Sequence, residues 1–144
     1  MEKEYPKEIT ITDSQNWQKQ GVKVNNAIVI VIPHLPDMSL GPNGRLHYAV
    51  RYRRLRDSRD EMIATIRSHG FQQDPLWEKA TLSIIYWAAD YRVRDLDNLI
   101  GCSKGWIDGL VGEILVDDNA MRLKLIVRYK ICGPERTVLR ITPK

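Results

Sequence analysis

Four carboxylates lie close together along a chain that is otherwise basic. Asp95 and Asp97 fall in Arg94-Asp95-Leu96-Asp97-Asn98-Leu99, and Asp117-Asp118 follow after a helix and a turn. The net charge is +4 and the pI about 9.1. Carboxylates gathered without a counter-charge repel one another, and some must take up protons. A divalent cation removes that penalty, and hard cations such as Mg²⁺ favour oxygen ligands. An acidic, cation-holding centre within a basic surface suits chemistry on a polyanion, so the pattern points to metal-dependent cleavage of nucleic acid.

The residues after Asp97 predict one helix with two unlike faces, running to about Leu110. At about 100° per residue, Leu99, Ser103, Trp106 and Leu110 form an apolar stripe that must pack on the sheet. Asp97, Gly101, Lys104 and Asp108 line the opposite side at i, i+4, i+7 and i+11. Helical side chains lean toward the N-terminus, so Lys104 is expected to project back across Gly101 toward Asp97. A phosphate would then sit between a cation and an ammonium. Taken singly, Asp97 reads as a helix cap, Asp117-Asp118 as a plain turn and Lys104 as an exposed lysine. Only their joint occurrence favours a site.

A second concentration of charge lies in residues 45–59, where Arg45, Arg51, Arg53, Arg54, Arg56 and Arg59 are opposed only by Asp57. Planar guanidinium forks suit phosphate oxygens, and clustered arginines are a nucleic-acid footprint. A solvated helix face is the plainer alternative.

The elements that would position these groups follow from periodicity. Residues 1–23 are weakly patterned apart from Ile9-Thr10-Ile11 and are set apart as an N-terminal arm that is either a flexible segment or a short edge strand, leaving residues 24–144 as the domain. Residues 27–32 are β-branched and closed by Pro33, which predicts a buried strand. Residues 33–44 hold Pro33, Pro36, Pro42, Gly41 and Gly44 and predict a loop. Tyr48, Tyr52, Leu55, Met62, Ile63 and Ile66 keep helical spacing, with Gly70 as the stop. Strands follow over 80–87, 122–130 and 137–141. In the second of these, Arg122, Lys124, Arg128 and Lys130 alternate with Leu123, Leu125, Val127 and Tyr129. The expected order is β-α-β-α-β-β, an α+β single domain with helices packed on a mixed sheet.

At 144 residues the chain suits one domain without staples. No apolar run is long enough to span a bilayer and the first residues lack a signal-peptide core, so a cytoplasmic location with no membrane partner is expected. Cys102 and Cys132 have no metal-ligand spacing and are expected reduced and at least half-buried; His34, His47 and His69 form no ligand set.

The assembly Asp95-Leu96-Asp97-Asn98, a lysine-bearing helix ending Ile107-Asp108-Gly109-Leu110, a short turn and Asp117-Asp118 resembles the RusA family of Holliday-junction resolvases. The match spans residues 95–118, and the element order extends it over about residues 25–142. The segment Asn43-Gly44-Arg45-Leu46-His47-Tyr48 is similar to that family's N-terminal loop. The family comprises small homodimeric endonucleases, often phage-encoded, that act in DNA recombination and repair and cut branched DNA with Mg²⁺. The resemblance implies a homodimer that resolves four-way junctions by paired phosphodiester cleavage, with Mg²⁺ as cofactor and Mn²⁺ as a substitute. Asp95, Asp97 and Asp118 would be the metal-binding catalytic carboxylates, Asp117 would support them as a further ligand, and Lys104 would be catalytic. Asn43, Arg45, Arg51, Arg54, Arg94 and Asn98 would contact DNA. The family's lysine often lies six residues after the first aspartate, where this chain has Gly101; Lys104 lies one turn further on the same face. A non-catalytic branched-DNA-binding protein is the alternative, and the intact carboxylates oppose it. A glycosyl or nucleotidyl transferase is weaker, since no nucleotide-binding glycine loop is present.

Overall fold

β-Branched residues build the centre of the sheet, and the fold is an α+β domain with, among the described residues, a mixed five-stranded sheet and three helices. A computed structural model describes residues 21–41 and 44–144. In chain order these are β1 (Gly21–Val24), β2 (Ala27–Ile32), a 3₁₀ turn (Met38–Leu40), α1 (Tyr48–Ser68), β3 (Ala80–Ala88), α2 (Leu96–Cys102), α3 (Lys104–Leu110), β4 (Leu123–Ile131) and β5 (Arg136–Pro143). The sheet order is β1-β2-β5-β3-β4, antiparallel throughout except for the parallel pair β3–β4. No helix among the described residues is long and apolar enough to cross a membrane.

Two features correct the expected β-α-β-α-β-β order to β-β-α-β-α-α-β-β. Gly21–Val24 forms a hairpin with β2, closed at Asn25 (φ 56°), so the sheet begins inside the span set apart as an arm. Residues 1–20 of that arm lie outside the described residues. The expected long helix is also broken at Ser103. There the hydroxyls of Tyr86 and Ser103, 2.7 Å apart, both lie within hydrogen-bond distance of the Leu99 carbonyl. The Ser103 N–H keeps its own bond to that carbonyl at 3.1 Å and also reaches the Ile100 carbonyl at 3.0 Å, so the chain tightens toward 3₁₀ geometry where the helix breaks. Burial pushes the Tyr86 phenol up to about 12, so it stays a neutral donor.

The main core lies between the helices and one sheet face, where Ile28, Ile30, Ile84, Tyr86 and Leu139 meet Met62, Ile66, Leu99, Trp106 and Leu110. The apolar stripe of Leu99, Ser103, Trp106 and Leu110 is buried as expected. Leu123, Val127 and Tyr129 of β4 pack against this core. Strand registry places Arg128 beside Ile85 and Lys130 beside Trp87, on the opposite face with Val29, Val31 and Val138. The expected parity of β4 therefore separates basic from apolar groups. On that face the Arg136 guanidinium lies 4.2 Å from the centre of the Trp87 ring.

Helix α3 crosses α1 at Gly105 and Gly109. A Cβ on Gly105 would stand 2.7 Å from the Leu55 carbonyl, and one on Gly109 2.8 Å from Met62 Cβ. Trp106, between them, donates from Nε1 to Glu61 Oε1 at 3.0 Å. Glu61 Oε2 meets His34 Nε2 at 2.9 Å, and His34 Nδ1 faces the Leu35 carbonyl at 2.8 Å. Two acceptors facing one imidazole favour its charged form: the Glu61 bond lifts His34 above 6.5, against the opposing effect of burial. Burial pushes Glu61 up, but the bonds from His34 and Trp106 outweigh it and hold the carboxyl below 4.5.

The pair therefore stabilises the fold within a window. The His34 contribution is full below pH 6.5 and is lost as pH rises through its higher folded value. The Glu61 contribution is present above pH 4.5 and is lost as pH falls through its lower folded value. Thermal melts of wild type and His34→Gln should differ most near pH 6 and converge as pH rises through the folded His34 value. A constant difference across that range would remove the charged pair from the account.

Candidate functional site

Asp95 is the N-cap residue of α2 and Asp97 lies in its first turn, where the helix dipole favours anions. Asp95 makes no side-chain cap bond, and Asp97 Oδ1 accepts only from the adjacent Asn98 N–H at 2.9 Å. Both are exposed. Among the described residues neither these two nor Asp117 and Asp118 forms an ion pair. Asp117 Oδ1 accepts from the Asp118 N–H at 2.8 Å and Oδ2 from the Asn119 amide at 2.9 Å, and these bonds hold its carboxyl below the usual range. Hard oxygen donors outside any ion pair among the described residues suit Mg²⁺ in kind.

Their placement differs from the single cluster expected from the sequence. The α2 end lies near the C-terminal end of β3, since Tyr86 reaches the Leu99 carbonyl and Tyr129 reaches that of Arg92. Asp117-Asp118 lie near the opposite end of β3: Val116 N–H bonds to the Trp77 carbonyl, and Ala80 N–H to that of Arg122. From Ala80 to Tyr86 is six strand residues, or on the order of 20 Å. Accordingly, no group of three or more His, Cys, Asp or Glu among the described residues could hold a metal ion.

Lys104 also departs from expectation. The break at Ser103 makes it the first residue of α3, and Nζ pairs forward with Asp108 Oδ1 at 3.2 Å rather than back across Gly101. An exposed i,i+4 pair is worth about 0.3–0.5 kcal/mol. Lys104→Ala should therefore leave the urea midpoint nearly unchanged and any cleavage rate within a few-fold of wild type. A hundredfold loss in single-turnover cleavage would return the lysine to the chemistry.

Arg94 is bound rather than presented: NH1 donates to Asp90 Oδ1 and to the Tyr129 hydroxyl, both at 3.0 Å, and the side chain is 9% exposed. It braces the segment leading into Asp95. Arg51 donates to the Gly41 carbonyl at 3.4 Å, and Arg54 to Ser39 Oγ at 2.8 Å beside Asp37. Both tie α1 to the 3₁₀ turn. Arg45, Arg53 and Arg56 are exposed and make no ion pair among the described residues. Asn98 is half-buried, and its Oδ1 is enclosed without a hydrogen-bond partner among the described residues. A Cβ on Gly41 would overlap that oxygen at 1.8 Å, so only glycine lets the loop lie on the first turn of α2. Asn43 lies outside the described residues. Of the cysteines, Cys102 is buried, but Cys132 is exposed, contrary to expectation.

Periodicity also placed Tyr48 and Tyr52 on one apolar stripe with Leu55, Met62, Ile63 and Ile66 of α1. Only the second half of that stripe, at Met62, Thr65 and Ile66, is buried. Tyr48 and Tyr52 are 78% and 67% exposed, because α1 runs beyond the elements that cover it. Apolar side chains also stand out beside both carboxylate pairs: Tyr91 and Val93 before Asp95, and Val116 and Met121 around Asp117-Asp118. Nothing in their local sequence distinguishes them from core residues.

No protein-family model matches the chain, and no curated protein matches it.

Proposed function

We propose that the protein is a Mg²⁺-dependent endonuclease acting on branched DNA, with a metal centre completed by two copies of the chain. The observation that carries this reading is the set of unpaired carboxylates in a basic chain, split into two pairs that one chain holds apart. A two-fold dimer is isologous, so a loop of one copy can meet a different loop of its partner, twice. The exposed Tyr91 and Val93 beside one pair, and Val116 and Met121 beside the other, give such a contact apolar surface to bury. Asp95 and Asp97 of one copy would then face Asp117 and Asp118 of the other across a shared ion. Bound there, Mg²⁺ supplies Lewis acidity toward a phosphodiester and makes water a better nucleophile.

The chain's own residues bind and position. The α2 dipole and the Arg94 brace fix the first carboxylate pair, and the Asp118 N–H and Asn119 amide fix Asp117. Arg45, Arg53 and Arg56 offer phosphate contacts. Two symmetric centres match paired cuts in a four-way junction. The test is a labelled junction incubated with protein in Mg²⁺ and in EDTA: paired nicks only with Mg²⁺ support the reading, and binding without cutting supports a non-catalytic junction binder.

The arginine surface has its own expected outcome. Arg53→Ala with Arg56→Ala should weaken DNA binding regardless of sequence and lower the salt slope by about 1 per arginine lost. An unchanged slope of log affinity against log salt would make this a solvated face.

A further inference from the structure

Helix α1 carries two aromatic rings where a soluble surface has little use for them. Tyr48 and Tyr52 lie one turn apart and so share a face. With Arg51, Arg53 and Leu55 they line an open groove of about 750 Å³. A neighbouring hollow continues past Tyr52 to Arg56, Arg59 and Asp108 on α3. The groove is lined mainly by apolar surface from the two rings and Leu55, with Arg51 and Arg53 among its lining residues. A second copy of this face would bring arginines against arginines, so its charge selects a polyanion instead. Duplex DNA offers phosphates but keeps its bases stacked inside, leaving the two rings unused. A strand with unpaired bases offers both phosphates and free ring faces.

We infer that Tyr48 and Tyr52 form a stacking platform for unpaired DNA bases, with the flanking arginines holding the strand's phosphates. The inference rests on the branched-DNA reading for its setting, since a branch point exposes unstacked bases. It does not depend on the carboxylates or on cleavage. Both tyrosines keep the helical spacing of the apolar residues of α1; their exposure gives them this role.

The test uses the full chain in EDTA, so that metal and cleavage play no part. Binding of a fluorescent oligothymidylate strand and of a duplex of equal length is measured by anisotropy for wild type, Tyr48→Ala/Tyr52→Ala and Tyr48→Phe/Tyr52→Phe. Wild type should bind the single strand, and the double alanine variant should bind it at least about tenfold more weakly, the scale of losing base–aromatic stacking. Its duplex affinity should change less than about twofold, and the phenylalanine variant should bind both like wild type. Far-UV circular dichroism should show the fold intact, as both side chains are exposed. No single-strand binding by wild type, an equal loss on strand and duplex, or unchanged affinity would each overturn the platform. So would a shift of the alanine variant to a smaller species in sedimentation, which would make the face a contact between copies. Junction cutting with Mg²⁺ is scored separately. Stacking without cutting sinks only the nuclease reading, and cutting without stacking sinks only this one.

Discussion

Asp97→Asn and Asp95→Asn are each expected to lower Mg²⁺-dependent junction cleavage by a factor on the order of a thousand or more. Losing even one charge-stabilising donor costs about 10²–10³, and these side chains would hold the ion itself. The carboxamide keeps the carboxylate's shape, so local packing changes little. Both residues are exposed, Asp95 makes no side-chain cap bond, and an amide oxygen at position 97 can still accept from the Asn98 N–H, so the urea midpoint should stay near wild type. Junction affinity should hold or rise, because a negative charge beside phosphates has been removed. Gel shift and single-turnover cleavage on the same preparations separate the two effects. Cutting that persists undiminished in both variants would place the chemistry elsewhere.

Trp106→Ala is expected to cost about 3–5 kcal/mol, the range for deleting a buried aromatic side chain. That is much of the roughly 5–15 kcal/mol that holds a typical domain folded. Trp106 is 1% exposed and sits where α3 crosses α1 between Gly105 and Gly109. Removing the indole opens a cavity and takes from Glu61 the N–H that, with His34, holds its charge. Helices α2 and α3 meet at Ser103, so a loosened α3 also loosens the support of Asp95 and Asp97. Trp106→Phe keeps most of the volume and loses the hydrogen bond, which should cost about 1 kcal/mol plus a small repacking cost. Urea denaturation of the three proteins measures both steps. Equal midpoints for the alanine variant and wild type would mean the crossing is not what holds α3.

What the sequence made legible was periodicity. The β-branched run of β2, the alternation in β4 and the stripe from Leu99 to Leu110 each state which residues share a face, and those faces are as expected. The start of α2 lies two residues earlier than expected, with Asp95 rather than Asp97 at the cap. Periodicity does not state what lies opposite a face. The stripe of α1 is continuous in sequence, yet the elements that cover its second half do not reach its first turns, leaving Tyr48 and Tyr52 outside. The hydroxyl that meets Ser103 at the break comes from Tyr86 of β3, 17 residues away, and the brace on Arg94 from Tyr129, 35 residues away. The short strand Gly21–Val24 is specified as much by its partner β2 as by its own residues. The two carboxylate pairs are neighbours in sequence but lie toward opposite ends of β3, because the helices between them run back along the strand.

The most direct measurement of the proposed centre mixes two inactive chains. Asp97→Asn and Asp118→Asn are co-expressed with different tags, the mixed dimer is purified, and a labelled four-way junction is incubated with it in Mg²⁺. If each centre joins Asp97 of one copy to Asp118 of its partner, the mixed dimer carries one doubly altered centre and one intact centre. Nicking should then return at one strand per junction, while wild type cuts in pairs and neither variant alone cuts. If each chain holds its own centre, both centres in the mixed dimer carry one altered carboxylate. A mixed dimer as inactive as its parents, beside a wild type that cuts, would contradict the shared centre, and a wild type that binds the junction but never cuts it would contradict the nuclease itself.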